Sequence, residues 1–213
     1  MVHYPAFNNP EEYLQRRRGA FLSGMLKRAA ERYALYRCFR DIGNISLMID
    51  APCGPGRLFH YWQKRCDTVL GVDLSDNMLQ AANAELKKLA LSGQVIKGDA
   101  FNLSSYVRQG ADLVASIRFC YYFPRPTRVV LLQALAAASN QYVLVQYKTI
   151  KTIKGIINSA RRRPPNHKSK HFCTHEEIAA EVEEAGLVCR RIVPIGAFSD
   201  RVFVLCEKTE ISA

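Results

Sequence analysis

The chain has 213 residues, of which 48% are hydrophobic and 23% charged, a size and balance that suit one folded domain with a single core and exclude wholesale disorder. No apolar run approaches the roughly 20 residues needed to cross a bilayer, and the N-terminus lacks the basic, apolar and small-residue regions of an export signal. The expectation is a cytoplasmic protein, with peripheral contact at the inner membrane face as a further option. The formal charge of +11 is unevenly placed: residues 148 to 170 hold eight Lys or Arg and no Asp or Glu, which points to a particular anionic partner or surface more than to a generally basic protein.

Seven cysteines, Cys38, Cys53, Cys66, Cys120, Cys173, Cys189 and Cys206, stand singly with no Cys-x-x-Cys pair, a pattern that fits neither a disulfide framework nor a zinc knuckle. In "HKSKHFCTH", His167, His171, Cys173 and His175 are close enough in sequence to suggest a metal. A basic loop entering a helix is the preferred reading, because no second ligand cluster accompanies them, and no metal is expected.

Residues 10 to 40 carry apolar residues at helical spacing, and Asn9 before Pro10 and two glutamates is a good helix start. Gly19 is expected to split this stretch into two helices. Five short apolar runs follow, "ISLMID", "TVLGVDLS", "QVIKGDA", "ADLVASI" and "QYVLVQY", separated by helix-compatible stretches such as "DNMLQAANAELKKLAL" and "PTRVVLLQALAAAS". Strands alternating with helices of that length predict a parallel sheet covered on both faces. "THEEIAAEVEEAGL" has a capping box and a glycine stop and is expected as a helix. "VCRRIVPIG" and "DRVFVLCEK", joined by a short turn, are expected as a hairpin. The expected fold is therefore α/β: a seven-stranded, mostly parallel, doubly wound sheet with a C-terminal antiparallel hairpin, helices on both faces and extra N-terminal helices. Residues 1–45 are read as a helical extension capping the crevice, and 46–213 as the main domain with a basic insertion at 148–171.

The stretch "MIDAPCGPGRLF" places Asp50 at the end of a buried strand and follows it with a costly turn. In open α/β sheets ligands bind at the carboxyl ends of the strands, where the winding reverses, and Asp50, Asp73 and Asp99 each fall near such an end. Gly54 and Gly56 permit a tight turn and close backbone approach, and a helix start behind them would favour a carboxylate or phosphate. Asp73 lies near the spacing at which an acid accepts hydrogen bonds from ribose hydroxyls. A dinucleotide is disfavoured, since Phe59 replaces the third glycine of that fingerprint, and no Gly-Lys-Ser/Thr marks a P-loop.

Together these motifs resemble the class I S-adenosylmethionine-dependent methyltransferases, from about Leu47 to Lys208. "LMIDAPCGPGR" is similar to the family's first motif, "VLGVDLSDNMLQAA" to its second, "VIKGDAFNL" to its third and "ADLVASIRFCYYF" to its fourth. The resemblance implies S-adenosylmethionine as cofactor, with Cys53, Gly54 and Gly56 around its methionine end. It further implies that Asp50 lies near the sulfonium and amino end, Asp73 on the ribose, Leu74 and Met78 beside the adenine, and Asp99 and Ala100 at the adenine edge. Pro52 departs from the small residue usual at its place.

Methyl transfer from a sulfonium chiefly requires in-line alignment and exclusion of water. After the fourth strand, Ser116, Arg118, Tyr121 and Tyr122 sit where the resemblance implies cofactor and substrate contacts. Phe119, Tyr121 and Phe123 can equally pack under the following helix. His171 and His175 are candidate bases on a closing lid. Arg118, directly after a buried strand, needs a partner, and an acidic acceptor would supply one. In the insertion, Ile150, Ile153, Ile156, Ile157 and Ala160 fall on one helical face with Lys148, Lys151, Lys154 and Arg161 to Arg163 around it. This suits an anionic membrane surface, a phosphate backbone or a solvated lid.

Three functions compete at this point: methyl transfer to a small or lipid-linked, anionic acceptor; methylation of RNA; and a non-catalytic scaffold that binds the cofactor. RNA is disfavoured by the absence of an appended RNA-binding module and of an Asn/Asp-Pro-Pro-Tyr/Phe tetrad after strand four. The scaffold is disfavoured by the intact glycine turn and ribose acid.

Overall fold

The computed structural model describes residues 9–12, 21–107, 109–152, 156–157, 170–196 and 199–209. Asn9 accepts a hydrogen bond from the Glu12 backbone N–H at 3.1 Å, so it caps the helical start at Pro10 as expected; Gly19 lies outside the described residues. Helix α1 (Phe21–Phe39) leads into β1 (Ile45–Asp50), the one-turn α2 (Phe59–Trp62), β2 (Cys66–Asp73), α3 (Asp76–Leu89), β3 (Gly93–Lys97), β4 (Ala111–Ser116), α4 (Arg125–Ala137) and β5 (Ser139–Lys148). The chain continues through α5 (His175–Glu184), β6 (Leu187–Pro194) and β7 (Arg201–Lys208).

The seven strands lie in the order β3-β2-β1-β4-β5-β7-β6. β1 to β5 pair in parallel, and β7 runs antiparallel to both β5 and β6. The expected doubly wound sheet and terminal hairpin are thus present. The winding reverses between β1 and β4, and the crevice such a reversal opens lies at the carboxyl ends of the strands.

Strand side chains alternate between two cores. Ile49, Val114, Val143 and Val145 join Leu131, Leu132 and Leu135 of α4 and Ile178 and Val182 of α5 on one face. Met48, Leu113, Leu144, Phe203 and Leu205 join Ala34, Leu35, Cys38 and Phe39 of α1 and Ala82 and Leu86 of α3 on the other. Helix α1 is therefore part of the main core through its C-terminal half. The capping box of α5 forms as expected, with Thr174 Oγ1 accepting from Glu177 N–H and Glu177 accepting from Thr174 N–H.

Two expectations are corrected. The helix behind the glycine turn is only four residues long. Nine residues separate Gly56 from β2, and Phe59 and Trp62 among them are wholly buried as a plug, so no extended helix offers its N-terminus to an anion. Lys148, expected on a basic surface face, is buried and ion-paired with Asp200.

Candidate active site

The crevice is built first from the turn after β1. Gly54 (φ +55°) and Gly56 (φ +71°) both adopt the left-handed conformation that glycine tolerates best. A side chain on Gly54 would meet no atom within 4 Å, so its backbone borders open space; one on Gly56 would stand 2.7 Å from the Phe59 ring. The Cys53 N–H donates to the Val72 carbonyl at 2.9 Å, and the Gly54 N–H donates to Asp73 Oδ2 at 2.9 Å. Asp73 Oδ1 accepts from Ser75 N–H at 2.9 Å. Partial burial raises the Asp73 pKa, opposed by these backbone N–H groups. Asp99, at the end of β3, accepts from Phe101 N–H at 3.0 Å, and Ala100 behind it is buried.

Asp73, Leu74, Asp99, Ala100, Cys53, Gly54 and Gly56 therefore gather at the tips of β1, β2 and β3. Leu74 presents 43% of its surface, as a residue flanking a flat ring would. Two other expected contacts turn inward. Met78 is 1% exposed, because α3 packs that side against the sheet. Asp50 is buried and accepts from Trp62 Nε1–H at 2.8 Å. Burial pushes its carboxyl up to about 7, against the lowering effects of the Trp62 bond and of Arg57. Asp50 thus fixes the plug under the turn.

Beyond β4, Ser116 is fully buried and its Oγ has no partner among the described residues. Arg118 takes φ +65°, and its partner is internal: its Nη2 donates to both carboxylate oxygens of Glu31 in α1, at 3.0 and 3.3 Å. Arg57 grips the same carboxylate at 2.9 and 3.3 Å. Burial raises the Glu31 carboxyl, but the charges of Arg57, Arg118 and Arg201 outweigh it and leave a pKa of about 2.

The strand-end segment 171–173 comes alongside β5: Cys173 N–H donates to Lys148 O, Ile150 N–H to Cys173 O, and His171 N–H to Tyr121 O at 2.8 Å. This brings together His171, Tyr121 and Tyr122, whose rings lie 4.9 Å apart. The Lys148 ammonium sits 4.9 Å from the Phe172 ring centroid and 5.7 Å from that of Tyr121. Burial lowers the Lys148 pKa to about 8, with Asp200 opposing; burial and Arg128 lower that of His171. His175, at the start of α5, keeps Nε2 buried without a partner among the described residues. His167, Ile153, Lys154, Ala160 and Arg161 to Arg163 lie outside the described residues; Lys151 pairs with Glu176 at 3.3 Å.

Sequence reasoning missed Glu31, Arg57, Gln146, Lys148 and Asp200. Signals existed for two: Glu31 is the one acid in the basic α1, and Gln146 interrupts an apolar strand.

No described helix is long and apolar enough to cross a membrane. The sequence matches no curated protein. It matches the family described as "Methyltransferase domain" over residues 48–141, the segment that runs from the glycine turn to the start of β5. In three dimensions it is similar to magnesium protoporphyrin IX methyltransferase from Synechocystis PCC 6803 with bound S-adenosylhomocysteine, at TM-score 0.72 and 14% identity, over 96% of this chain and 97% of that one. An S-adenosylmethionine-dependent methyltransferase from Clostridium acetobutylicum ATCC 824 superposes at TM-score 0.70 and 12% identity, over 94% and 99%. The mitomycin 7-O-methyltransferase does so at 0.65 and 18%, over 94% of this chain and 58% of that one. The family match thus lies on the turn and strand tips just described, and nearly the whole chain shares its fold with these methyltransferases.

Proposed function

We propose that the chain is an S-adenosylmethionine-dependent methyltransferase whose acceptor is small or lipid-linked and carries negative charge. The observation that carries this reading is the position of Arg118, a cation just beyond β4 with 10% of its side chain exposed, at the same carboxyl edge of the sheet as Gly54 and Asp73. S-adenosylmethionine, when bound, would supply a methyl carbon open to attack by an acceptor's lone pair, the S–CH3 bond breaking and its electrons leaving with the neutral thioether.

The residues present fit that cofactor. Asp73 has carboxylate lone pairs left for ribose hydroxyls after accepting from Gly54 and Ser75; Gly54 leaves room for close approach of a ligand; Ser116 holds a buried hydroxyl with no partner among the described residues. Leu74 would flank the adenine and Asp99 and Ala100 its edge, with Cys53, Gly54 and Gly56 around the methionine end. Asp50 supports the turn through Trp62.

The chain's own share of the reaction is orientation and dryness. Tyr121 and Tyr122 wall the acceptor side and keep out water, which would compete as a nucleophile. His171, kept largely neutral by its lowered pKa, takes the proton from an acceptor hydroxyl when there is one. Arg118 orients the acceptor's anionic group.

The test incubates the protein with methyl-labelled cofactor and a whole-cell extract that retains small molecules, lipids and RNA, and searches each fraction by mass spectrometry for products one methyl heavier. Anionic products are expected, and a labelled product confined to RNA would overturn the acceptor class.

A further inference from the structure

Among the described residues, the crevice beside β4 and β5 gathers four cations on two carboxylates. Glu31 serves Arg57, Arg118 and, at 3.8 Å, Arg201; Asp200 serves Lys148. All four cationic side chains are less than one-fifth exposed. Guanidinium groups held this far from water interact more strongly with an entering anion than exposed ones do.

A second observation lies in the same corner. The carboxamide of Gln146 is fully buried, and neither Oε1 nor Nε2 has a partner among the described residues. In the β5–β7 ladder Gln146 stands opposite Phe203 and Lys148 opposite Arg201. Opposed residues share a face, so Gln146, Lys148 and Arg201 lie on the side of the sheet that α1 covers. Gln146 is one residue pair inward from Lys148 and Arg201, on a face otherwise filled by Leu144, Phe203 and Leu205. An apolar residue there would pack without loss, whereas an amide with no partner is expensive to keep.

Resting on the methyltransferase reading above, we propose that Arg57, Arg118 and Arg201, with Gln146 behind them, bind the carboxylate or phosphate of the methyl acceptor, and that Glu31 is the counter-ion this anion displaces. An anion brings acceptor oxygens for guanidinium forks and for the amide N–H alike. Displacing Glu31 also couples α1 to acceptor entry, since that carboxylate ties the helix to the glycine turn through Arg57.

A cofactor carboxylate has the same chemistry, and Arg57 stands in the turn, so the experiment separates the two sources. Inorganic phosphate is titrated by calorimetry into the full chain saturated with S-adenosylhomocysteine, for the wild type, Glu31→Gln and Gln146→Met. Removing the competing carboxylate should tighten phosphate binding about tenfold, the effect of about 1.4 kcal/mol, with affinity for S-adenosylhomocysteine unchanged. Phosphate binding that is absent from both proteins, or equal in both, overturns the proposal. So does a Glu31→Gln variant that tightens S-adenosylhomocysteine but neither phosphate nor 5′-methylthioadenosine, which lacks the carboxylate.

Glu31→Gln removes the carboxylate that three guanidinium groups share, so Gln146→Met carries the test if that variant does not fold. It should melt at a higher temperature than the wild type yet bind phosphate more weakly. A higher melting temperature with unaltered phosphate affinity makes Gln146 structural and overturns its part. Failure of the wild type to bind S-adenosylhomocysteine at all would instead strike the methyltransferase reading.

Discussion

The Gly54 backbone N–H donates to Asp73 Oδ2 at 2.9 Å, tying the turn after β1 to the tip of β2. One carboxylate thus holds the turn in shape, and under the proposed function the same carboxylate receives the ribose hydroxyls. Asp73→Ala would remove the acceptor of Gly54 N–H and of Ser75 N–H together, and should lower stability by about 1–3 kcal/mol. Affinity for S-adenosylhomocysteine should fall well beyond tenfold, because the ribose partner and the turn geometry go together. Calorimetry and urea unfolding on the same variant check both halves; wild-type affinity in Asp73→Ala would refute the ribose assignment.

Gly54 and Gly56 should fail in different ways when changed to alanine. Both have positive φ, which costs a non-glycine residue about 1–2 kcal/mol. At Gly56 the new methyl would also collide with the Phe59 ring, which is fully buried and cannot swing aside. Gly56→Ala should therefore lose the greater stability. Gly54→Ala meets open space and should lose less stability, but it fills the space a bound ligand needs and should bind S-adenosylhomocysteine more weakly. Equal binding losses for equal stability losses would argue against an open ligand face at Gly54.

Asp50 predicts a pH dependence of defined sign. Its folded pKa of about 7 lies above the ordinary carboxylate value of 3.8 through burial, so between these limits the folded state holds a proton that the unfolded state releases. Stability attributable to this group is greatest below pH 3.8 and falls as pH rises, at up to about 1.4 kcal/mol per pH unit, levelling off above about pH 7. Asp50→Asn keeps an oxygen to accept from Trp62 Nε1–H and removes the titration. The stability difference between Asp50→Asn and the wild type should grow from pH 4 to pH 7 and then stay constant. A difference flat across that range would show that Asp50 titrates normally.

Most of the fold was legible because the strands are short apolar runs, the first three ended by an acid or a glycine, and because the last two strands are too close in sequence for a crossover. The site was legible where local geometry defines it: the positive-φ glycines, Asp73 one strand later, Asp99 at the next tip. What stayed hidden depends on tertiary register. Arg118 was seen to need a partner, but Glu31 lies 87 residues before it. Lys148 read as one of a run of surface cations, whereas the β5–β7 pairing sets it beside Asp200, 52 residues later. Met78 and Leu74 look alike as apolar residues flanking Ser75, and only the docking of α3 decides that the first is core and the second exposed. The shortness of α2 stayed hidden because Phe59 and Trp62 have the i, i+3 spacing that a longer helix would also show.

A second buried glutamate provides the contrast that makes Glu31 interpretable. Glu181 in α5 accepts from Arg128 Nε at 2.9 Å and from Tyr147 OH at 2.9 Å, while Arg128 Nη1 also donates to the Phe123 carbonyl at 2.8 Å. Here one cation meets one carboxylate, and neither side chain is more than 5% exposed. The network lies on the α4 and α5 face and ties those two helices to β5, with every bond directed inside the core. Tyr147→Phe should cost about 1.5–3 kcal/mol as one hydrogen bond to a charged group is lost, and Glu181→Gln about 3–5 kcal/mol as Arg128 is left buried without its counter-charge. Neither should alter phosphate affinity in the protein that remains folded, measured by the same calorimetry as for Glu31→Gln. A Glu181→Gln variant that gained phosphate affinity as Glu31→Gln is expected to would mean that any buried guanidinium deprived of its carboxylate in this chain binds phosphate, and the crevice would lose its distinction.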